Sequence, residues 1–427
     1  MVIAYFTPGF GALGGALIGG SAAILLLFCG EILGASGLVS STGLYPRKAL
    51  TDPGVAWKLF LIAIFMLVSN VVLAQFFHED NRLFNDPSIP IVSMAGYLIG
   101  GFFVGFGTRL GNGCTTGHGI CGMARLSKRS FSAVATFMLS AIATANVVAP
   151  DNKALAEYTA FLRTDQSFEL FNQGIGLAVV VPIVLAAAYA LFNLRRSYQL
   201  ISTDAEAKVA PVEGSTELHV VHHHDEEAAD PTKQQEASAD TTEQIASDSV
   251  VEVEPKFTAN KKMPNRNERV NIMDGVSKLK PAAMAGVTFS TGLALSGMVK
   301  PSKIIGFLNL FLLEKGTWDP TLIMVMAGGS IVSWISYQFV SGHGIVQNSY
   351  AMECPRRSSG FSIPTNKNID GQLLIGSLCF GIGWGVAGLC PGPAMFLAAS
   401  GTIPILAFWW PTFFLGALLA QKIKDRS

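Results

Sequence analysis

The sequence predicts an all-α polytopic membrane protein built of two pseudo-symmetric helical halves, with short re-entrant or broken helices meeting near the membrane midplane. Three observations carry that expectation. Half of the residues are hydrophobic and only 14% are charged, too few to cover the surface of a soluble chain of 427 residues. The apolar residues fall in runs long enough to cross a bilayer as helices. A Gly-rich segment ending in cysteine occurs twice, once on each side of an acidic stretch.

The full spans come first in the chain and set the frame. Phe10–Gly30, Trp57–Phe77, Gly174–Phe192 and Pro320–Val340 are the clearest runs. The first begins without a basic region and continues through a full span, so it reads as a membrane helix and not as a cleaved signal. Six cysteines sit mostly within apolar segments, which argues against an extracellular disulfide framework.

Between the halves lies a tract of different character. From Asp204 to Glu254 there are 14 acidic residues against Lys208 and Lys233. Such a tract cannot bury enough apolar surface to fold and reads as a disordered linker, giving a first membrane half at 1–200, a linker at 201–271 and a second half at 272–427. Arg195, Arg196, Lys261, Lys262, Arg266 and Arg269 flank it and favour a cytoplasmic side. Its His219 and His222–His224 read as part of a solvated run. Without the tract the membrane body has 28 basic and 16 acidic residues, a net positive charge of about twelve that suits an anion. With its apolar spans the chain is expected in the plasma membrane, and nucleic acid is not an expected partner.

The repeat is seen where GFGTRLGNGC (Gly105–Cys114) matches GIGWGVAGLC (Gly381–Cys390), and upstream where GASGLV (Gly34–Val39) resembles ALSGMV (Ala294–Val299). Ser36 precedes Cys114 by 78 positions and Ser296 precedes Cys390 by 94, so order and scale agree. Duplicated halves around a central loop point to a transporter with its site at the repeat interface, in parallel or inverted arrangement. Short apolar pieces such as Lys303–Leu313 and Pro393–Gly401 cannot span a roughly 30 Å core and read as re-entrant or discontinuous helices lining a cavity.

The stretch GNGCTTGHGICG (Gly111–Gly122) holds the densest chemistry and permits three readings. On a helix, Cys114, His118 and Cys121 would share a face and offer three zinc ligands, but a helix through Gly111, Gly113, Gly117 and Gly119 is disfavoured and no fourth ligand is near. His118 would alternatively activate the Cys114 thiol, making a membrane-embedded sulfurtransferase partner that carries a persulfide. In the third reading Gly113 lets backbone N–H groups turn toward an anion at a helix N-terminus, with Thr115, Thr116 and Cys114 as further donors. The second repeat offers the same element at Gly388–Ala394, with Gly388 and Cys390 and no histidine, so the shared feature is a thiol at a helix break. Both cysteines also suit tight helix packing.

Intramembrane charges add candidates. Arg109 lies five residues before Cys114, and Lys300 and Lys303 follow the second-half Ser-Gly pair, all able to attract an anion or to anchor at the interface. Glu31 needs a partner, for which Arg109 and Lys300 are the candidates, while Trp384 and His343 read as packing or belt residues.

With GNGCTTGHGICGMARLSKRSF, GIGWGVAGLCPGPA and ALSGMVKPSKIIGFLNL in place, followed by WDPTLIMVMAG, the chain resembles the YeeE/YedE family of sulfur-compound transporters over both halves, roughly 1–200 and 272–425. The resemblance implies a narrow central path in which thiosulfate or a similar sulfur anion makes transient hydrogen bonds to cysteine thiols. It carries over Cys114 and Cys390, and Cys29 as the nearest match to a third cysteine from which it is offset by about one turn. It makes the bilayer and a soluble sulfur-accepting protein on the cytoplasmic side the expected partners, with no cofactor or metal. The roles of Cys121, Cys354 and Cys379 stay open.

Overall fold

The structure is a computed structural model, and it describes residues 6–76, 92–148, 166–209, 266–314, 318–340 and 361–426. His343, Cys354 and the acidic tract from 210 to 265 lie outside the described residues.

The first half runs α1 (Pro8–Cys29), α2 (Ala35–Gly43), α3 (Pro46–Thr51), α4 (Pro53–Phe76), α5 (Met94–Leu110), a π-helical turn (Thr115–Gly122) and α6 (Lys128–Val148). A long helix, α7 (Gln166–Val209), continues through the last span into residues placed by sequence in the linker. The second half follows with α8 (Arg266–Ser277), α9 (Leu279–Ser296), α10 (Pro301–Leu308), α11 (Phe311–Glu314), α12 (Thr321–Gln338), α13 (Gly371–Ala387), α14 (Pro391–Ala399), a second π-helical turn (Ile405–Trp409) and α15 (Trp410–Lys424). Among the described residues, seven helical stretches are long and apolar enough to cross a bilayer, or eight if the bent pair α9–α10 is one span, so this is a multi-pass integral membrane protein. At 22 residues, α1 is about 33 Å long, matching a hydrocarbon core of roughly 30 Å.

Equivalent elements contact each other reciprocally. Helix α1 packs on α12 as α9 packs on α4, and α5 packs on α15 as α13 packs on α6. Across the centre, α1 meets α9 and α5 meets α13. In the first of these pairs Gly14 abuts Gly292 and Ser296, while Ser21 Oγ donates to Ala285 O at 2.9 Å, so the helices are antiparallel. In the second, Gly100 meets Gly383 and Ala387 whereas Gly107 meets Gly376 and Phe380, again antiparallel. A two-fold that relates antiparallel helices lies perpendicular to them, in the membrane plane. The repeat is therefore inverted, which the sequence left open.

Small residues make these contacts possible. A Cβ on Gly15 would stand 2.2 Å from Val325 O, and one on Gly105 would stand 2.0 Å from Phe413 O. Between apolar helices in a bilayer this close backbone approach is a main source of packing energy.

The upstream register of the repeat differs from the sequence match. Helix α1 ends at Gly30 and α9 at Gly297, both in the left-handed conformation, with φ 65° and 69°. Ser296 is the last residue of α9, whereas Ser36 lies in the first turn of α2. The shared Ser-Gly pair thus falls at non-equivalent places, because the helix end is set by the left-handed glycine and not by the serine.

Candidate functional site

The downstream register holds to the residue. Helix α5 is left through Gly111, left-handed Asn112 (φ 61°) and Gly113, and α13 through left-handed Gly388 (φ 62°) and Leu389. Cys114 then caps the π-helical turn and Cys390 caps α14, both in extended conformation. Each glycine has a local reason. A Cβ on Gly113 would stand 2.5 Å from the His118 ring, and one on Gly388 would stand 2.5 Å from Pro301 O.

A helix does form through Gly117 and Gly119, contrary to the propensity argument. Two of its glycines are packing positions: a Cβ on Gly119 would reach Met326 Cε at 2.6 Å, and one on Gly122 would reach Ser130 Oγ at 2.3 Å, whereas one on Gly117 would meet nothing within 4 Å. Tertiary contact overrides a propensity cost of up to about 1 kcal/mol per glycine. The π geometry also changes the face that Cys114, His118 and Cys121 present.

Those three side chains go to different partners. His118 Nε2 lies 3.1 Å from Gly111 O, to which it donates as N–H, and Nδ1 lies 3.2 Å from Ser130 Oγ, from which it accepts. The imidazole thus ties the α5 exit to α6, with both nitrogens engaged. Cys121 Sγ donates to Leu33 O at 3.5 Å, in the break between α1 and α2. Cys114 is fully buried. Among the described residues no three His, Cys, Asp or Glu side chains cluster closely enough to hold a metal ion.

The two breaks meet at a cavity of about 40 Å³. By volume it has room for about three waters. It touches α1 at Ile18, the middle of that helix, and so lies about halfway across the membrane body. Thr115, Thr116 and Cys390 line it together with Trp384, and the rest of the wall is apolar, including Phe289, Met298 and Met326. No charged side chain is among its lining residues. Thr115 Oγ1 donates to Cys390 Sγ at 3.6 Å, joining the first break directly to the second. The first turn of a helix leaves its leading N–H groups without intrahelical partners, which places the amides after Cys114 beside the same space. On the α14 side, Pro391 and Pro393 lack that donor, so the second break contributes its thiol more than its backbone.

The remaining candidates stand elsewhere. Arg109 Nε donates to Gln421 Oε1 at 2.6 Å, and Lys424 Nζ donates to Arg109 O at 3.1 Å, at the far end of α5 from Met94. Cys29 ends α1, with Sγ 4.0 Å from Lys278 O. Lys300 caps α10 in the break after Gly297. None of the three lines the cavity. Glu31 pairs with neither Arg109 nor Lys300: its partner is Lys278, at 3.1 Å, which also meets Asp274 at 2.9 Å and faces the Trp57 ring. Lys278 sits directly before α9 and is almost fully buried, a position hidden in the sequence because it follows the basic end of the linker. Lys303 pairs with Asp319 at 2.9 Å and donates to Thr7 Oγ1 at 3.2 Å, at the opposite end of the α1–α9 pair. Asp370, just before the α13 span, accepts from Arg129 in the first turn of α6 at 2.8 Å, which holds its carboxyl below the ordinary value of 3.8.

Comparison with known proteins gives two family matches. Residues 11–143 match the sulphur transport family, and residues 278–423 match a family of unknown function, DUF6691. A probable transporter of Xylella fastidiosa (strain Temecula1 / ATCC 700964) is 35% identical over 146 residues, which are 34% of this chain and 90% of the relative. A second probable transporter of that strain is 37% identical over 136 residues, 31% of this chain and 89% of the relative. One from strain 9a5c is 35% identical over 127 residues, 30% of this chain and 79% of the relative. These relatives are about the size of one half. No solved structure matches the chain.

Proposed function

Because this chain belongs to the YeeE/YedE sulphur transport family, it is a membrane transporter, and we propose that its cargo is thiosulfate or a closely related sulfur anion. The observation that carries this reading is the cavity where the two inverted breaks meet, lined by a thiol, two hydroxyls and apolar side chains. A body with about twelve excess positive charges attracts the anion over long range. Inside, it meets neutral donors only. Without a fixed cation, binding is weak enough to permit release, which conduction requires.

Cargo of this class has a soft terminal sulfur and hard oxygens. On the proposed route the Cys390 S–H, which lines the cavity beside Thr115 and Thr116, and the Cys114 S–H, which does not line it and is buried at the head of the same turn, hydrogen-bond the anion in turn, and no bond to sulfur forms or breaks. A soluble sulfur-accepting protein on the cytoplasmic side would take the delivered anion. No geometric feature favours a Cys114 persulfide, since both nitrogens of His118 are already engaged.

Uptake of labelled thiosulfate into proteoliposomes, with sulfate, sulfite and selenite as competitors, tests the reading. Saturable uptake that excess sulfate fails to suppress, and that Cys390→Ala lowers at least tenfold, is expected. Uptake untouched by Cys114→Ala and Cys390→Ala would overturn the thiol route, and absence of thiosulfate uptake would overturn the cargo.

A further inference from the structure

Trp384 is almost fully buried, and its Nε1–H is a buried donor with no hydrogen-bond partner. Buried donors without acceptors are rare, because each one left unmet costs about 1–3 kcal/mol. Two other indoles share this state, Trp57 and Trp409, but neither lines the cavity. Trp384 does, alongside Thr115, Thr116 and Cys390.

Its ring is held on two sides. Phe380 stacks on it with centroids 5.9 Å apart and planes 12° from parallel, and Phe137 meets it edge-on at 6.0 Å. The residue stands four positions before left-handed Gly388, whose N–H donates to Trp384 O at 2.8 Å. The indole is therefore fixed to the helix end that carries Cys390. Such a group gains little by turning away to find an acceptor, and indole is a donor only.

We propose that Trp384 is a specificity-determining residue whose Nε1–H receives the oxyanion end of the cargo while the Cys390 thiol meets its sulfur end. This rests on the sulfur-anion reading above and extends it by assigning the cargo an orientation. The required ligand is bipartite: an oxygen acceptor at one end, a soft polarizable atom at the other. An anion bound between neutral donors replaces water without a full counter-charge, so each donor counts toward selectivity. A cargo lacking an oxygen at the indole gains nothing from the N–H and binds more weakly than one that carries it.

The test replaces the N–H and keeps the ring. Trp384→Phe retains the stacking partner, and 3-benzothienylalanine introduced at position 384 retains the bicyclic shape with sulfur in place of N–H. In proteoliposomes the half-saturation concentration for thiosulfate should rise about five- to thirtyfold in both, with the maximal rate changed far less. The thermal midpoint of the cargo-free benzothienylalanine protein should be unchanged or higher, because an unmet donor has been removed. Unchanged half-saturation in both variants, or a lowered midpoint with unchanged half-saturation, overturns the role of Trp384 and leaves the cargo assignment standing. Wild-type liposomes that take up no sulfur anion overturn both.

Discussion

Thr115 Oγ1 lies 3.6 Å from Cys390 Sγ, the one hydrogen bond described between the two cysteine-bearing breaks. It joins residues 275 positions apart in sequence and places a hydroxyl of the first repeat against the thiol of the second. Thr115→Val keeps the shape and removes that donor. Thiosulfate uptake should fall about three- to tenfold, read as initial rate in proteoliposomes, with the amount of folded protein unchanged. An unchanged rate would separate the contact from transport.

His118 acts through the loop it anchors. Ser130→Ala leaves the imidazole Nδ1 without its donor and His118→Phe leaves the Gly111 carbonyl without its donor, and each should cost about 1–3 kcal/mol of stability in detergent, seen as a lower thermal midpoint. Mass spectrometry after thiosulfate exposure should find no adduct of about +32 Da, the mass of one sulfur atom, on Cys114. A stable adduct there would favour covalent sulfur transfer instead.

Lys278 is the cation of a buried cluster with Glu31 and Asp274. Lys278→Met removes the buried cation that faces two carboxylates and should destabilise the protein by about 3–5 kcal/mol. Adding Glu31→Gln and Asp274→Asn should recover much of that loss, measured by thermal unfolding in the same detergent. Equal midpoints for the single and triple variants would contradict the pairing.

Close helix approach is tested at two glycines of α1. Gly15→Ala places a methyl 2.2 Å from Val325 O and should cost about 1–3 kcal/mol, while Gly20→Ala, where a Cβ meets nothing within 4 Å, should be neutral. Yield of monodisperse protein in size-exclusion chromatography reads the difference.

Asp370 gives a pH dependence of known sign. Its carboxyl is held below 3.8 chiefly by the hydrogen bond from Arg129, so its contribution is complete above the ordinary carboxylate value and is lost as pH falls through the lowered one. The Asp370 side chain is 42% exposed, so solvent screens the pair and the contribution is about 0–1 kcal/mol. The stability difference between wild type and Asp370→Asn should be constant from pH 7 to about 5 and vanish on further acidification. A difference that grows in acid would be inconsistent with the Arg129 pairing.

Spans, the two-half organisation and the pairing of Cys114 with Cys390 were legible in the sequence, because apolar length and a repeated Gly-x-Gly…Cys spacing are local properties. The π-helical turn at Thr115–Gly122 was not, since glycine propensity argues against a helix there, and the close approach of Met326 to Gly119 and of Ser130 to Gly122 is a tertiary contact. Partner choice was equally hidden. Glu31 finds Lys278 across 247 residues, and no spacing rule reaches that far. Trp384 reads in the sequence as a packing or belt residue; that its N–H is buried without an acceptor, on a side chain that lines the cavity, is a three-dimensional fact. By itself the sequence determined a two-part membrane body with a thiol at each break, through hydrophobic length and residue spacing. Tertiary structure alone decided that the halves are inverted, that the breaks meet at one cavity, and which side chains reach it, because antiparallel glycine contacts set the helix axes and the axes set the directions of the side chains.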